Sequence, residues 1–194
     1  MQNLKDRSRL DGLSSPGVSR QASGFTLIEL ILVLILAGVL AAVAIPRFFQ
    51  RSTFDALAFT NNVQAMLRYA QKVAIAEHRN VFVKLDGASA ALCFDTNFSG
   101  GCDSANQVSA PSGKNSGTDA TLAACANSTQ WFCEAVPTDV TSTTANFYYS
   151  PLGKPFNVAD VDPTTSFIQT LTITIAENGV NHTITVEPET GYVH

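Results

Sequence analysis

The apolar and polar positions of this chain change period twice. From Phe25 to Ile45 the sequence FTLIELILVLILAGVLAAVAI runs 21 residues with a single charge, Glu29. A stretch apolar on every side fits a helix that faces lipid or closely packed neighbours. As a helix it is long enough for the roughly 30 Å hydrocarbon layer at about 1.5 Å per residue. Pro46 follows, where proline removes one backbone hydrogen bond and loosens the helix. Beyond it Phe59, Val63, Met66, Ala70 and Val73 recur at alternating steps of four and three. That is one stripe of an amphipathic helix. Arg51, Asp55, Asn62, Arg68 and Lys72 fall elsewhere around the cylinder, and neither Gly nor Pro interrupts 47–79. The two stretches predict one helix of about 50 residues. Its first half should project, and its second half should pack on the domain.

From Val81 the period becomes two. VFVKLD (81–86) and SAALCF (89–94), joined at Gly87-Ala88, predict a hairpin. ANFYYS (145–150) predicts a strand ended by Pro151-Leu152-Gly153. TLTITIAENGVNHTITVEP (170–188) predicts a second hairpin about Asn178-Gly179, the favoured two-residue turn. A short last strand is expected at Tyr192-Val193. Between them, 95–144 is rich in Gly, Ser, Asn and Thr and is expected to be stapled loop. The expected fold is α+β: a long N-terminal helix packed on an antiparallel sheet of four to six strands. The expected divisions are a leader (1–24), the helix (25–79, apolar to 45 and amphipathic from 46) and a β-rich domain (80–194) with disulfide loops over 93–133.

Charge adds direction. The leader holds Lys5, Arg7, Arg9 and Arg20 against Asp6 and Asp11. Positive charge before an apolar segment keeps the N-terminus cytoplasmic while the rest crosses. From Asn80 onward there are three basic residues and eleven acidic ones, the wrong sign for a nucleic-acid surface. The four cysteines, Cys93, Cys102, Cys125 and Cys133, all lie in the part expected to be exported. An even count in an oxidising compartment favours disulfides. Three connectivities are open, and Cys93–Cys102 with Cys125–Cys133 is favoured because short loops close easily. Zinc is disfavoured, since no C-x-x-C occurs.

The most informative string is Gly24-Phe25-Thr26-Leu27-Ile28-Glu29, at the junction of charged leader and apolar run. An ordinary signal peptide would be cut on the far side of its core, for instance at Ala42-Val43-Ala44. The run is too long for a core of about 7–15 residues, and that cut would discard Glu29 to no purpose. GFTLIE followed by this apolar run resembles the processing site of type IV prepilins and type II secretion pseudopilins, tightly over 24–46. The resemblance implies cleavage between Gly24 and Phe25 by prepilin peptidase, N-methylation of Phe25, and a filament built through Phe25, Glu29 and Pro46. Glycine permits the extended backbone that a protease needs. A lone carboxylate in an apolar helix is costly unless paired. The resemblance pairs Glu29 with the amino terminus of a neighbouring Phe25. A looser likeness at 146–153 and 186–193 resembles minor pilins of the type II secretion H-like group, most of all those of the mannose-sensitive haemagglutinin (MSHA) type IV pilus. The function implied is a minor pilin for adhesion or motility. A minor pseudopilin is the alternative, and a DNA-uptake pilin is less favoured. Implied partners are other pilins, prepilin peptidase and an inner-membrane assembly platform. The chain would cross the inner membrane once, N-terminus inside, before reaching the periplasm and a surface pilus. No cofactor and no nucleic acid are expected.

Other signals are weaker. Asp95, Asn97 and Ser99 copy the first half of a calcium loop, but the closing carboxylate position is Asn106. A disulfide-closed turn is favoured there, with no metal. Asp160 and Asp162 read as loop charges. His78, His182 and His194 share no motif and read as surface residues. Trp131-Phe132 reads equally as a contact surface or as the plug of a loop. No P-loop, G-x-S-x-G or H-E-x-x-H occurs, so no enzyme is expected.

Overall fold

The computed structural model describes residues 25–48, 51–95 and 102–194. The chain divides into two compact units, Met1–Ala44 and Ile45–His194. The expected long helix is described in two stretches, α1 (Leu27–Phe48) and α2 (Arg51–Glu77). Continuity at 49–50 lies outside the described residues. Helix α1 passes through Pro46 to Phe48 rather than ending there.

In the second unit the predicted stripe of α2 is the buried one. Phe59, Val63, Met66 and Ala70 are buried, joined by Ala56, Leu67 and Ala74, while Val73 packs at the edge. Eight strands follow among the described residues: β1 (Val81–Leu85), β2 (Ser89–Cys93), β3 (Cys133–Ala135), β4 (Thr141–Ser142), β5 (Ala145–Tyr149), β6 (Pro155–Asn157), β7 (Leu171–Glu177) and β8 (Val180–Val186). They form two antiparallel sheets, not the single sheet expected. One has five strands ordered β3-β2-β1-β5-β6, and the other has three ordered β4-β7-β8. Helix α2 packs on strands of both, so one core joins the two sheets.

The hairpins fall where the alternation placed them. Asn178 (φ 47°) and Gly179 (φ 82°) are both left-handed, as the tight turn between β7 and β8 requires. Tyr192-Val193 contributes only an isolated bridge from Val193 to Val186. The β7–β8 hairpin buries one face, with Ile173 and Ile175 inward and Thr172 outward. Strand β2 buries both. Ala90 and Leu92 face the α2 core, whereas Ala91 and Cys93 face a second cluster with Cys102, Cys125, Trp131 and Cys133. Likewise Val81, Val83 and Leu85 of β1 face α2, and Phe82 packs against Tyr148 and Phe156 on the far side. Part of 95–144 therefore covers the back of the larger sheet and carries its own structure: β3, β4 and helix α3 (Asp119–Ala124), capped by the Thr118 hydroxyl.

The C-terminal tail is clamped to α2. Arg68 donates from Nε and Nη2 to the Val193 carbonyl (3.1 and 3.0 Å). Gln71 Nε2 donates to the carbonyls of Gly153 (2.9 Å) and Thr190 (2.7 Å).

Candidate functional site

The singled-out residues among those described lie just before and on α1 and in the disulfide region. Phe25 and Thr26 precede α1, and the Thr26 hydroxyl accepts from the Glu29 backbone N–H (3.3 Å). Thr26 is thus the cap, and Glu29 stands three residues on, the spacing of a capping box. A carboxylate in the first turn also suits the positive end of the helix dipole. The T-x-x-E spacing was visible in the sequence, and this local role was not read from it. Every described residue from Phe25 to Ala42 is exposed, including Leu27 (79%), Leu34 (63%) and Leu40 (70%). So broad an apolar surface needs a cover. Gly24, on the other side of the expected cut, lies outside the described residues, as does the leader. No helix among the described residues is long and apolar enough to cross a membrane.

The disulfides are Cys93–Cys102 and Cys125–Cys133, each with Cα atoms 5.9 Å apart. All four cysteines are buried. Trp131 fills the space beside them and donates its indole N–H to the Leu92 carbonyl (2.6 Å). Phe132 packs on Tyr69 of α2. The pair plugs the loop rather than offering a contact surface.

Of the calcium-loop signal, only Asp95 and Asn106 are among the described residues. Asp95 accepts from Asn106 Nδ2 (3.4 Å), so the position that lacks a carboxylate is a hydrogen-bond partner. Asn97 and Ser99 lie outside the described residues. No cluster of three or more His, Cys, Asp or Glu able to hold a metal occurs among the described residues. Asp160 organises its own loop, accepting from the Asn157 N–H (3.0 Å), the Ser166 N–H (2.8 Å) and the Ser166 hydroxyl (2.7 Å). Its carboxyl is held below the ordinary value, chiefly by the Ser166 hydroxyl. A depressed folded-state value contributes stability above the unfolded carboxylate value and loses it as pH falls through the folded one. Ser166→Ala should therefore move the Asp160 titration up towards the ordinary value of about 3.9, read by a carboxyl-detected NMR pH series. An unmoved titration would contradict this account of the loop. His78 and His194 are exposed, but His182 is half-buried on β8, with Nε2 enclosed and unpartnered.

Two buried carboxylates were missed by sequence reasoning, Glu134 and Glu177, the latter at the end of β7 and 3% exposed. Glu134 on β3 is only 8% exposed and accepts from the Ser116 N–H (2.7 Å) and the Thr121 hydroxyl (3.1 Å). Nothing in Cys133-Glu134-Ala135 distinguishes it from a surface acid in sequence.

Residues 19–45 match the model of the prokaryotic N-terminal methylation motif. The chain carries that methylation motif. Gly24, Phe25 and Glu29 fall inside the matched span, and Pro46 lies just beyond it. The motif covers a small fraction of the chain and speaks for its N-terminal segment. Among solved structures, the chain is similar to the type IV minor pilin FimU of Pseudomonas aeruginosa in two crystal forms. Identity is 13% in both, with TM-scores of 0.44 and 0.41. The alignments cover 75% and 71% of this chain and 90% of FimU. Likeness at that level does not bear on function. No curated protein matches the chain.

Proposed function

We propose that the chain is a minor pilin of a type IV pilus, a structural subunit that catalyses nothing and needs no cofactor. Prepilin peptidase removes 1–24 between Gly24 and Phe25 and methylates the new amino terminus. The subunit waits in the inner membrane with its N-terminus inside, held by 25–45. It is then drawn by the assembly platform into a filament of pilins, where neighbouring helices replace lipid around the apolar run. Glu29 pairs with the amino terminus of an adjacent Phe25 and sets the register. The β-rich domain faces outward and serves adhesion or motility, in a system of the MSHA kind. The observation that carries this reading is the apolar surface of α1, bare on every side from Phe25 to Ala42, immediately following a methylation-motif junction. A helix discarded after secretion has no need of a charge placed within its first turn.

Deletion of the gene tests the proposal. Surface pili should fall in number or function while secreted enzymes stay at the wild-type level. Lost secretion with normal piliation would instead make the chain a type II secretion pseudopilin. The acid excess of 80–194 argues against a DNA-uptake role.

A further inference from the structure

A groove of about 400 Å³ opens between the first half of α2, the loop leading into α3, and β3. Its walls are largely apolar, with Ala58 and Phe59 on one side and Val136 and Pro137 on the other. Two carboxylates line it, Asp55 from α2 and Glu134 from β3. Asp55 is exposed, while Glu134 is more than nine-tenths buried. Glu134 is fixed by one hydrogen bond on each oxygen, leaving a lone pair free on both. The ion pairs among the described residues are Lys84–Asp86, Lys154–Glu189 and His194–Glu187, and none reaches either groove carboxylate. A buried carboxylate without a countercharge is costly, and a cation brought to it recovers part of that cost.

The size is at the lower end for a specific binding cavity. A lysine or arginine suits it, because the aliphatic stem lies along apolar walls while the head reaches the acids. We propose that this groove receives a lysine or arginine side chain, flanked by apolar residues, from a segment of a different protein. A different protein is indicated by charge. The unit Ile45–His194 has thirteen acidic residues and eight basic ones, so two copies of it repel. The groove lies wholly within Ile45–His194 and does not depend on the filament reading.

The test uses the full chain in detergent micelles and two probes: an acetylated, amidated leucine–lysine–leucine peptide, and the same peptide with norleucine for lysine. Binding is followed by calorimetry and by the amide NMR signal of Ser116. The lysine peptide should bind saturably, weaken with salt, and bind at least about tenfold tighter than the norleucine peptide. Asp55→Asn should weaken it by about tenfold. Glu134→Gln should weaken it as well, and Ala58→Trp, at an exposed helix position, should block it whether or not Glu134→Gln folds. Absence of saturable binding, or equal binding of both peptides, would overturn the proposal. So would self-association of the chain that Ala58→Trp abolishes, since the occupant would then be a second copy.

Discussion

A Glu29→Ala subunit is expected to be cut after Gly24 like the wild type and to enter sheared fibres at less than about a tenth of its level. The reasoning is electrostatic. Within a bundle of apolar helices little water reaches Glu29 or the amino terminus of the Phe25 it would meet. Removing one partner of such a pair leaves the other charge uncompensated, which costs about 3–5 kcal/mol, and about 1.4 kcal/mol is already tenfold in an equilibrium. Processing is unaffected because it reads the junction before any assembly. A rival role is local, since Glu29 stands three residues after the cap Thr26, where a carboxylate side chain can complete a capping box. Losing a cap costs about 1 kcal/mol, much less. Glu29→Gln separates the two, because an amide keeps capping-box chemistry and has no charge. It should assemble as poorly as Glu29→Ala. Normal incorporation of Glu29→Gln, by immunoblot of sheared fibres, would reduce Glu29 to a helix-capping residue.

Gly191→Ala should be the most damaging glycine-to-alanine change among the described residues. Gly191 has φ 65°, and a Cβ there would stand 2.4 Å from the Gly153 carbonyl oxygen, 2.7 Å from Gln71 Nε2 and 2.9 Å from Tyr149 Cε1. None of these can step aside cheaply. Gln71 bonds both Gly153 and Thr190, and Tyr149 is fully buried. The left-handed backbone costs roughly 1–2 kcal/mol for a residue with a Cβ, and overpacking adds about 1–3 kcal/mol. Against a typical stability of about 5–15 kcal/mol that is a large loss. Gly179→Ala is the control: its φ is 82°, but nothing lies within 4 Å of the added methyl. Only the backbone cost should appear. Trp131, the single tryptophan and buried beside the disulfides, reports unfolding by fluorescence in urea. Equal midpoints for the two variants would mean that the tail is not clamped as described.

Periodicity made part of this fold legible. The α2 stripe and the β1–β2 and β7–β8 hairpins follow from spacing alone, because each element buries a face that its own residues mark. The rest escaped for a physical reason. Strand β6 has three residues and β4 two, too few to display a period. In β2, both faces are buried, so nothing there announced that 95–144 folds back over the sheet. Two sheets replaced one because α2 bridges them, a choice made in packing. The N-terminal motif was readable for the opposite reason. It is a contiguous string, matched over 19–45 without any fold around it. Glu134 could not be found that way, since its burial comes from Ser116 and Thr121, distant in sequence and brought together by the stapled loop.

The central claim is that the apolar helix is kept and becomes the means of association. Mass spectrometry of the mature protein's N-terminal peptide tests it most directly. The first residue should be Phe25, heavier by one methyl group on its amine. A mature chain beginning at Ile45, or one still beginning at Met1, would contradict the account.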